Sequence, residues 1–147
     1  MPHLIIEYSA NVADHVDIDR LVDALHDAAL ASGVADLDAL RTRAVRRDRY
    51  AVADRHPDNA FVAVTARLGA GRSHADRQRF LSTLIDTLDD TVGPAGCTMM
   101  LSVEYQEIDP SRRINRNHLR PLVRERTAST AVEAADAATT ATTTGEP

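Results

Sequence analysis

Proline stands at position 2, and all 17 basic residues behind it are arginine; the chain has no lysine. The amino terminus is therefore the only amine able to titrate near neutrality. If Met1 is removed, that amine becomes the secondary amine of Pro2. Its reference pKa of ~7.7–8 falls further beside cations or an apolar wall. An amine that is neutral at pH 7 is a general base. With Met1 retained, the same nitrogen is a tertiary amide without basicity. The alternative role for Pro2 is structural, as the first residue of a strand.

Arginines supply the second set of candidates. Arg41 and Arg43 alternate on one predicted strand and so share a face, where a buried arginine would need a partner. They suit either an edge strand facing water, an interface, or a carboxylate ligand. Gly69-Ala70-Gly71-Arg72-Ser73 forms a tight strand-to-helix turn. Its backbone N–H groups and Arg72 at a helix N-terminus favour an anion, although Arg72 simply solvated on a compact turn fits the spacing as well. The turn lacks the lysine and spacing of a nucleotide-binding loop. Arg46, Arg47 and Arg49 extend a positive run that reads as surface. Six histidines show no metal-ligand spacing, and Asp54, His56 and Asp58 are explained by a turn. Glu7 and Glu107 read as hydrogen-bonded or interface residues on strands, with Glu107 a reserve acid. Cys97, the single cysteine, excludes an intrachain disulfide and reads as structural.

The 147 residues fit one domain of ordinary size, and an aromatic content of 3% leaves the core to Leu, Val, Ile and Ala. Net charge is −5, and three of the acids (Glu133, Asp136, Glu146) lie beyond Arg126. The near-balance that remains in the body argues against a nucleic-acid partner and leaves small acidic ligands as what clustered arginines suit. No stretch approaches the ~18 apolar residues of a membrane span, and no signal-peptide pattern opens the chain. A soluble cytoplasmic protein is expected.

The elements that must position these residues form two similar halves. A strand covers His3 to Tyr8, and Asp17 caps a helix to about Ser32, with Gly33 as its left-handed exit. A second strand follows from Leu40 to Arg46, then a weaker strand or hairpin arm over Tyr50 to Ala53. Ala60 to Leu68 is a buried strand, Ser73 caps a helix from His74 to about Thr91, and Gly93-Pro94 stops it. Met100 to Ile108 completes the set. Two β-α-β units imply an α/β (α+β) sheet with both helices on one face, and sheet edges that oligomerisation could cover. Asp109 to Arg126 reads as basic and partly extended. The domain is drawn over residues 2–126. The Ala/Thr-rich tail, residues 127–147, is expected to be disordered, with transient helix at Ala131 to Ala138.

Pro2-His3-Leu4-Ile5-Ile6-Glu7-Tyr8-Ser9-Ala10-Asn11, Leu40-Arg41-Thr42-Arg43 and Leu68-Gly69-Ala70-Gly71-Arg72-Ser73 together resemble 5-carboxymethyl-2-hydroxymuconate isomerase, of the tautomerase superfamily, over about residues 2 to 120. The resemblance implies a homotrimer with active sites near subunit boundaries and no metal or organic cofactor. It also implies an isomerisation in homoprotocatechuate breakdown, acting on an unsaturated 2-hydroxy acid with several carboxylates. By residue, it implies that Pro2 is catalytic, that Arg41 and Arg72 bind substrate, and that Arg43 supports them. The stretch Ala44-Val45-Arg46-Arg47 departs from the family's more aromatic or histidine-bearing character, so pocket shape and exact substrate stay open. Alternatives are a relative acting on another 2-hydroxy or 2-oxo acid, a hydratase-like enzyme using Glu107, or a non-catalytic trimeric module that binds carboxylates.

Overall fold

The computed structural model describes residues 2–143. These divide between Ile114 and Asn115 into two compact units.

The first unit is a four-stranded sheet with two helices. Strand β1 (His3–Ser9) opens the chain, and helix α1 (Ile18–Ala31) follows a 3₁₀ turn. Strands β2 (Arg41–Arg47) and β3 (Ala60–Gly69) precede helix α2 (His74–Val92) and strand β4 (Met99–Ile108). The order across the sheet is β2-β1-β3-β4. β1 runs parallel to β2 and antiparallel to β3, while β3 runs parallel to β4. Each half is thus a β-α-β unit, and the two meet back to back at the central pair β1–β3.

Period-two alternation decides which face is dry. Leu4, Ile6 and Tyr8 of β1 are buried with Ala60, Val62, Val64, Ala66 and Leu68 of β3. Residues between them stay partly exposed. Onto the apolar face come Leu21, Leu25 and Ala29 of α1, spaced at four residues, and Phe80, Leu84, Leu88 and Val92 of α2. Both helices are capped as expected: Asp17 accepts from the Arg20 N–H at 3.1 Å and Ser73 from the Asp76 N–H at 3.1 Å. Gly33 at φ +71° ends α1 in the left-handed region. His26 Nδ1 meets Thr42 Oγ1 at 2.9 Å, tying α1 to β2.

Tyr50 to Ala53 forms no strand. Positive φ at Ala53 (49°) and Arg55 (67°) breaks extended pairing there. Asn59 holds the loop instead, donating to Val52 O at 3.1 Å and to Asp54 Oδ1 at 2.7 Å. Asp54, His56 and Asp58 use their polar groups inside this turn: His56 N–H reaches Asp54 Oδ1 at 3.3 Å and Asp58 N–H reaches His56 Nδ1 at 3.2 Å. Cys97 is exposed in the 3₁₀ turn Gly93–Thr98.

The second unit is dominated by helix α3 (Leu119–Thr143). It covers part of the segment expected to be extended and runs through Ala131 to Ala138; residues 144–147 lie outside the described residues. Asn117 Oδ1 accepts from Leu119 and Arg120 N–H at 3.1 and 3.2 Å, and Pro121 falls in the first turn where its missing N–H is harmless. Alanine has the highest helix propensity, and Thr127 and Thr130 return their hydroxyls to the carbonyls of Val123 and Arg126. The helix carries no apolar stripe, so local propensity rather than an amphipathic face accounts for it. No helix among the described residues is long and apolar enough to cross a membrane.

Leu84 has no exposed surface, so Leu84→Ala should lower unfolding stability by about 2–5 kcal/mol. Urea unfolding at fixed protein concentration checks this; a loss below about 1 kcal/mol would mean the α2–sheet contact is not the core described here.

Candidate active site

Strand direction gathers the candidates at one end of the sheet. β1 and β2 begin there, whereas β3 and β4 end there. His3 is registered with Arg41 on one side and Arg67 on the other, and Arg67 in turn with Gln106. Pro2 immediately precedes this row and is buried. Its carbonyl accepts the Arg41 N–H at 3.2 Å, which fixes the start of β1 against the start of β2. Extending the β1–β3 register by one residue sets Pro2 against Leu68, the residue before the Gly69–Ser73 turn.

That turn carries Arg72. Gly71 at φ +99° supplies a conformation that side-chain-bearing residues avoid, and so lets the chain reverse into α2. Arg72 then folds back. One terminal nitrogen donates to Gly69 O at 2.7 Å and the other to Val34 O at 2.7 Å. These bonds clamp the β3–α2 turn onto the α1–β2 loop. A guanidinium has five N–H groups, so three remain for an anion. The solvated-arginine alternative is therefore replaced by a positioned, partly buried cation. Arg72 also borders a shallow depression of about 340 Å³ with Ser32, Gly33, Val34, Asp76 and Arg79.

The other arginines stand on the sheet face that α1 and α2 leave open. Arg41, His3 and Arg67 occupy one cross-strand row, and Arg43, Ile5 and Thr65 the next. Arg43 Nη1 lies 3.3 Å from His3 Nδ1. Because guanidinium can only donate, His3 Nδ1 accepts, and the proton of the neutral ring sits on Nε2. Partial burial, and then the positive charges of Arg41, Arg43 and Arg67, push the His3 pKa below its ordinary value.

Pro2, Arg41 and Arg72 thus come to one end of the sheet, with Arg43 one row further along. Sequence reasoning passed over two residues of this neighbourhood, His3 and Arg67. Alternation along β3 puts Arg67 on the open face, but its place beside His3 depends on the β1–β3 register, which no local pattern reveals. Glu7 is paired with Arg47, whose Nε–H reaches Glu7 Oε2 at 3.3 Å. Glu107 is held by Arg77 at 3.0 Å. Arg46 pairs with Asp48 at 2.8 Å on the surface.

The sign of the His3 effect is fixed by linkage. Its folded pKa lies below the unfolded value of ~6.5, so unfolding takes up a proton as pH falls through that range. Above ~6.5 His3 has no effect on stability; below it, His3 opposes folding. Arg43→Ala removes one of the cations and should raise the His3 pKa toward 6.5, read from the imidazole resonances in an NMR titration. An unchanged or lower value would show that Arg43 does not act on His3.

The sequence profile of the 5-carboxymethyl-2-hydroxymuconate isomerase family matches residues 2–123. The chain is similar to the 5-carboxymethyl-2-hydroxymuconate Delta-isomerase of Escherichia coli, 29% identical over 124 residues that make up 83% of this chain and 98% of that protein. Among solved structures it is similar to a 5-carboxymethyl-2-hydroxymuconate isomerase from Deinococcus radiodurans R1, with TM-score 0.76 and 29% identity over 83% of this chain and 93% of that one. A fused 4-OT symmetric trimer, at 18% identity and TM-score 0.59 over 78% of this chain and 92% of that one, shares the fold alone. The α+β sheet is therefore a tautomerase-type fold, its first strand opens directly behind Pro2, and the chain belongs to the 5-carboxymethyl-2-hydroxymuconate isomerase family, a family of isomerases.

Proposed function

We propose that this chain is a cofactor-free isomerase that moves a double bond in 5-carboxymethyl-2-hydroxymuconate by proton transfer, with Pro2 as general base. The observation that carries the reading is the convergence of Pro2, Arg41 and Arg72 at one end of the sheet, within a family match that begins at Pro2. Removal of Met1 would turn the Pro2 nitrogen into a secondary amine. Burial and neighbouring cations both disfavour its ammonium form, which keeps it available as a base.

In this mechanism the neutral Pro2 amine takes the proton of the 2-hydroxyl group, and negative charge spreads over the conjugated system. The same nitrogen returns a proton to the distal carbon, so the double bond shifts and atoms balance. Arg41 and Arg72 hold carboxylates through bidentate, charge-assisted hydrogen bonds and stabilise the developing charge. Arg43 supports them. Arg72 would act with its three remaining N–H groups, already oriented by Gly69 and Val34. The proposal extends to a homotrimer working in the cytoplasm on homoprotocatechuate breakdown, with the isomerase domain spanning residues 2–126. Trimerisation would cover the edge strands β2 and β4.

Pro2→Ala, with Met1 removal verified by intact mass, should lower kcat by about 10²–10⁴ in an ultraviolet assay with 5-carboxymethyl-2-hydroxymuconate. Full activity in that variant would remove Pro2 from the chemistry. A correctly processed wild type that does not turn this acid over would remove the substrate assignment.

A further inference from the structure

We infer that Arg67 is a substrate-binding residue that selects for a third carboxylate, acting from the open face of the sheet together with His3 and Arg43. The inference rests on the isomerase reading for the identity of the substrate, but its geometry is independent of it.

Three cations surround one imidazole here. Arg41 and Arg67 flank His3 in the same cross-strand row, and Arg43 touches its Nδ1 at 3.3 Å. Adjacent strands stand ~4.7–4.9 Å apart, so Arg41 and Arg67 lie about two strand spacings apart across the His3 ring, close enough to add to one positive potential. Among the described residues no carboxylate forms an ion pair with Arg43 or Arg67, and Glu7 is taken by Arg47. Glu104, registered with Thr65, is the nearest acid by register and makes no salt bridge with either arginine. Arg67 is also exposed and adjoins Gln106, a neutral residue that can donate a hydrogen bond.

Arg43 and Arg67, with the His3 ring between their strands, thus leave positive charge on the open face one row from Pro2. A 2-hydroxymuconate carries two carboxylates, and its carboxymethyl substituent adds a third. Arg41 and Arg72 account for two carboxylates at the sheet end. The open-face cluster supplies a separate contact for the remaining one: Arg67 offers a planar fork, and the neutral His3 ring offers its Nε2–H. A dicarboxylate would leave this contact unused, so Arg67 would set selectivity between substrates rather than the chemistry itself.

The test is equilibrium binding of propane-1,2,3-tricarboxylate and of pentanedioate, compared in the processed wild type, Arg67→Gln and Arg67→Lys by calorimetry. Arg67→Gln should weaken the tricarboxylate at least about tenfold and the dicarboxylate less than about twofold, and Arg67→Lys, which keeps the charge but loses the fork, should recover only part of the loss. Because Arg67 is exposed, the variants should fold, which an unchanged circular dichroism spectrum verifies. Equal losses for both ligands, no loss for either, or a wild type that does not prefer the tricarboxylate would each overturn the inference. A wild type that shows the expected binding pattern but no isomerisation would defeat the isomerase reading alone. Turnover with an indifferent Arg67 would defeat this inference alone.

Discussion

A proline at the head of a central strand gives no peptide N–H to the sheet, so its carbonyl makes the sheet bond at that position. Here that carbonyl accepts the Arg41 N–H, and the bond sets the whole parallel register of β1 and β2. A one-residue slip would turn Leu4, Ile6 and Tyr8 away from the helices and send His3 into the core. Hydrophobic burial along the strand and the position of its first residue are thus one constraint. The apolar side chains that hold β1 in place are also what hold Pro2 still.

The remaining architecture supports that strand from both sides. β3 pairs with it antiparallel, which brings the end of the second β-α-β unit to the start of the first. Two halves of similar construction thereby contribute to one place: the first gives Pro2 and the Arg41–Arg43 pair, the second gives Arg67 and the turn with Arg72. Neither half would assemble this set alone. Charge is handled differently on the two faces. The helix face is apolar and dry, while the open face carries cations whose mutual repulsion is offset in part by solvent exposure.

Much of this was legible in the sequence for physical reasons. Asp17 and Ser73 mark helix starts because a side-chain oxygen satisfies an otherwise unpaired N–H, and Gly33 and Gly71 take positive φ where the chain turns. The alternation in β3 announced a strand with one buried face. The absence of lysine, the strand period and the turn motif drew attention to Pro2, Arg41 and Arg72 but left structural roles open for each, and only the family resemblance singled them out as site residues. Register was not legible, so the row Arg41–His3–Arg67 emerged only from the fold. Tyr50 to Ala53 looked strand-like because β propensity says nothing of the positive φ that Ala53 and Arg55 adopt. The lack of large apolar groups after Arg126 predicts disorder, whereas the described helix through Thr143 follows alanine's backbone preference, a different criterion.

The clamp of Arg72 onto Val34 and Gly69 has a consequence for how this scaffold can diverge. A guanidinium fastened to two main-chain carbonyls takes its position from backbone, not from its own rotamers, so the length of the segment between Gly33 and Leu40 becomes a ruler for the site. Lengthening or shortening that loop would move the cation without replacing Arg72 itself. Divergence in ligand size among chains built this way would then be written in the spacing of a loop, where a comparison of residue types alone would overlook it.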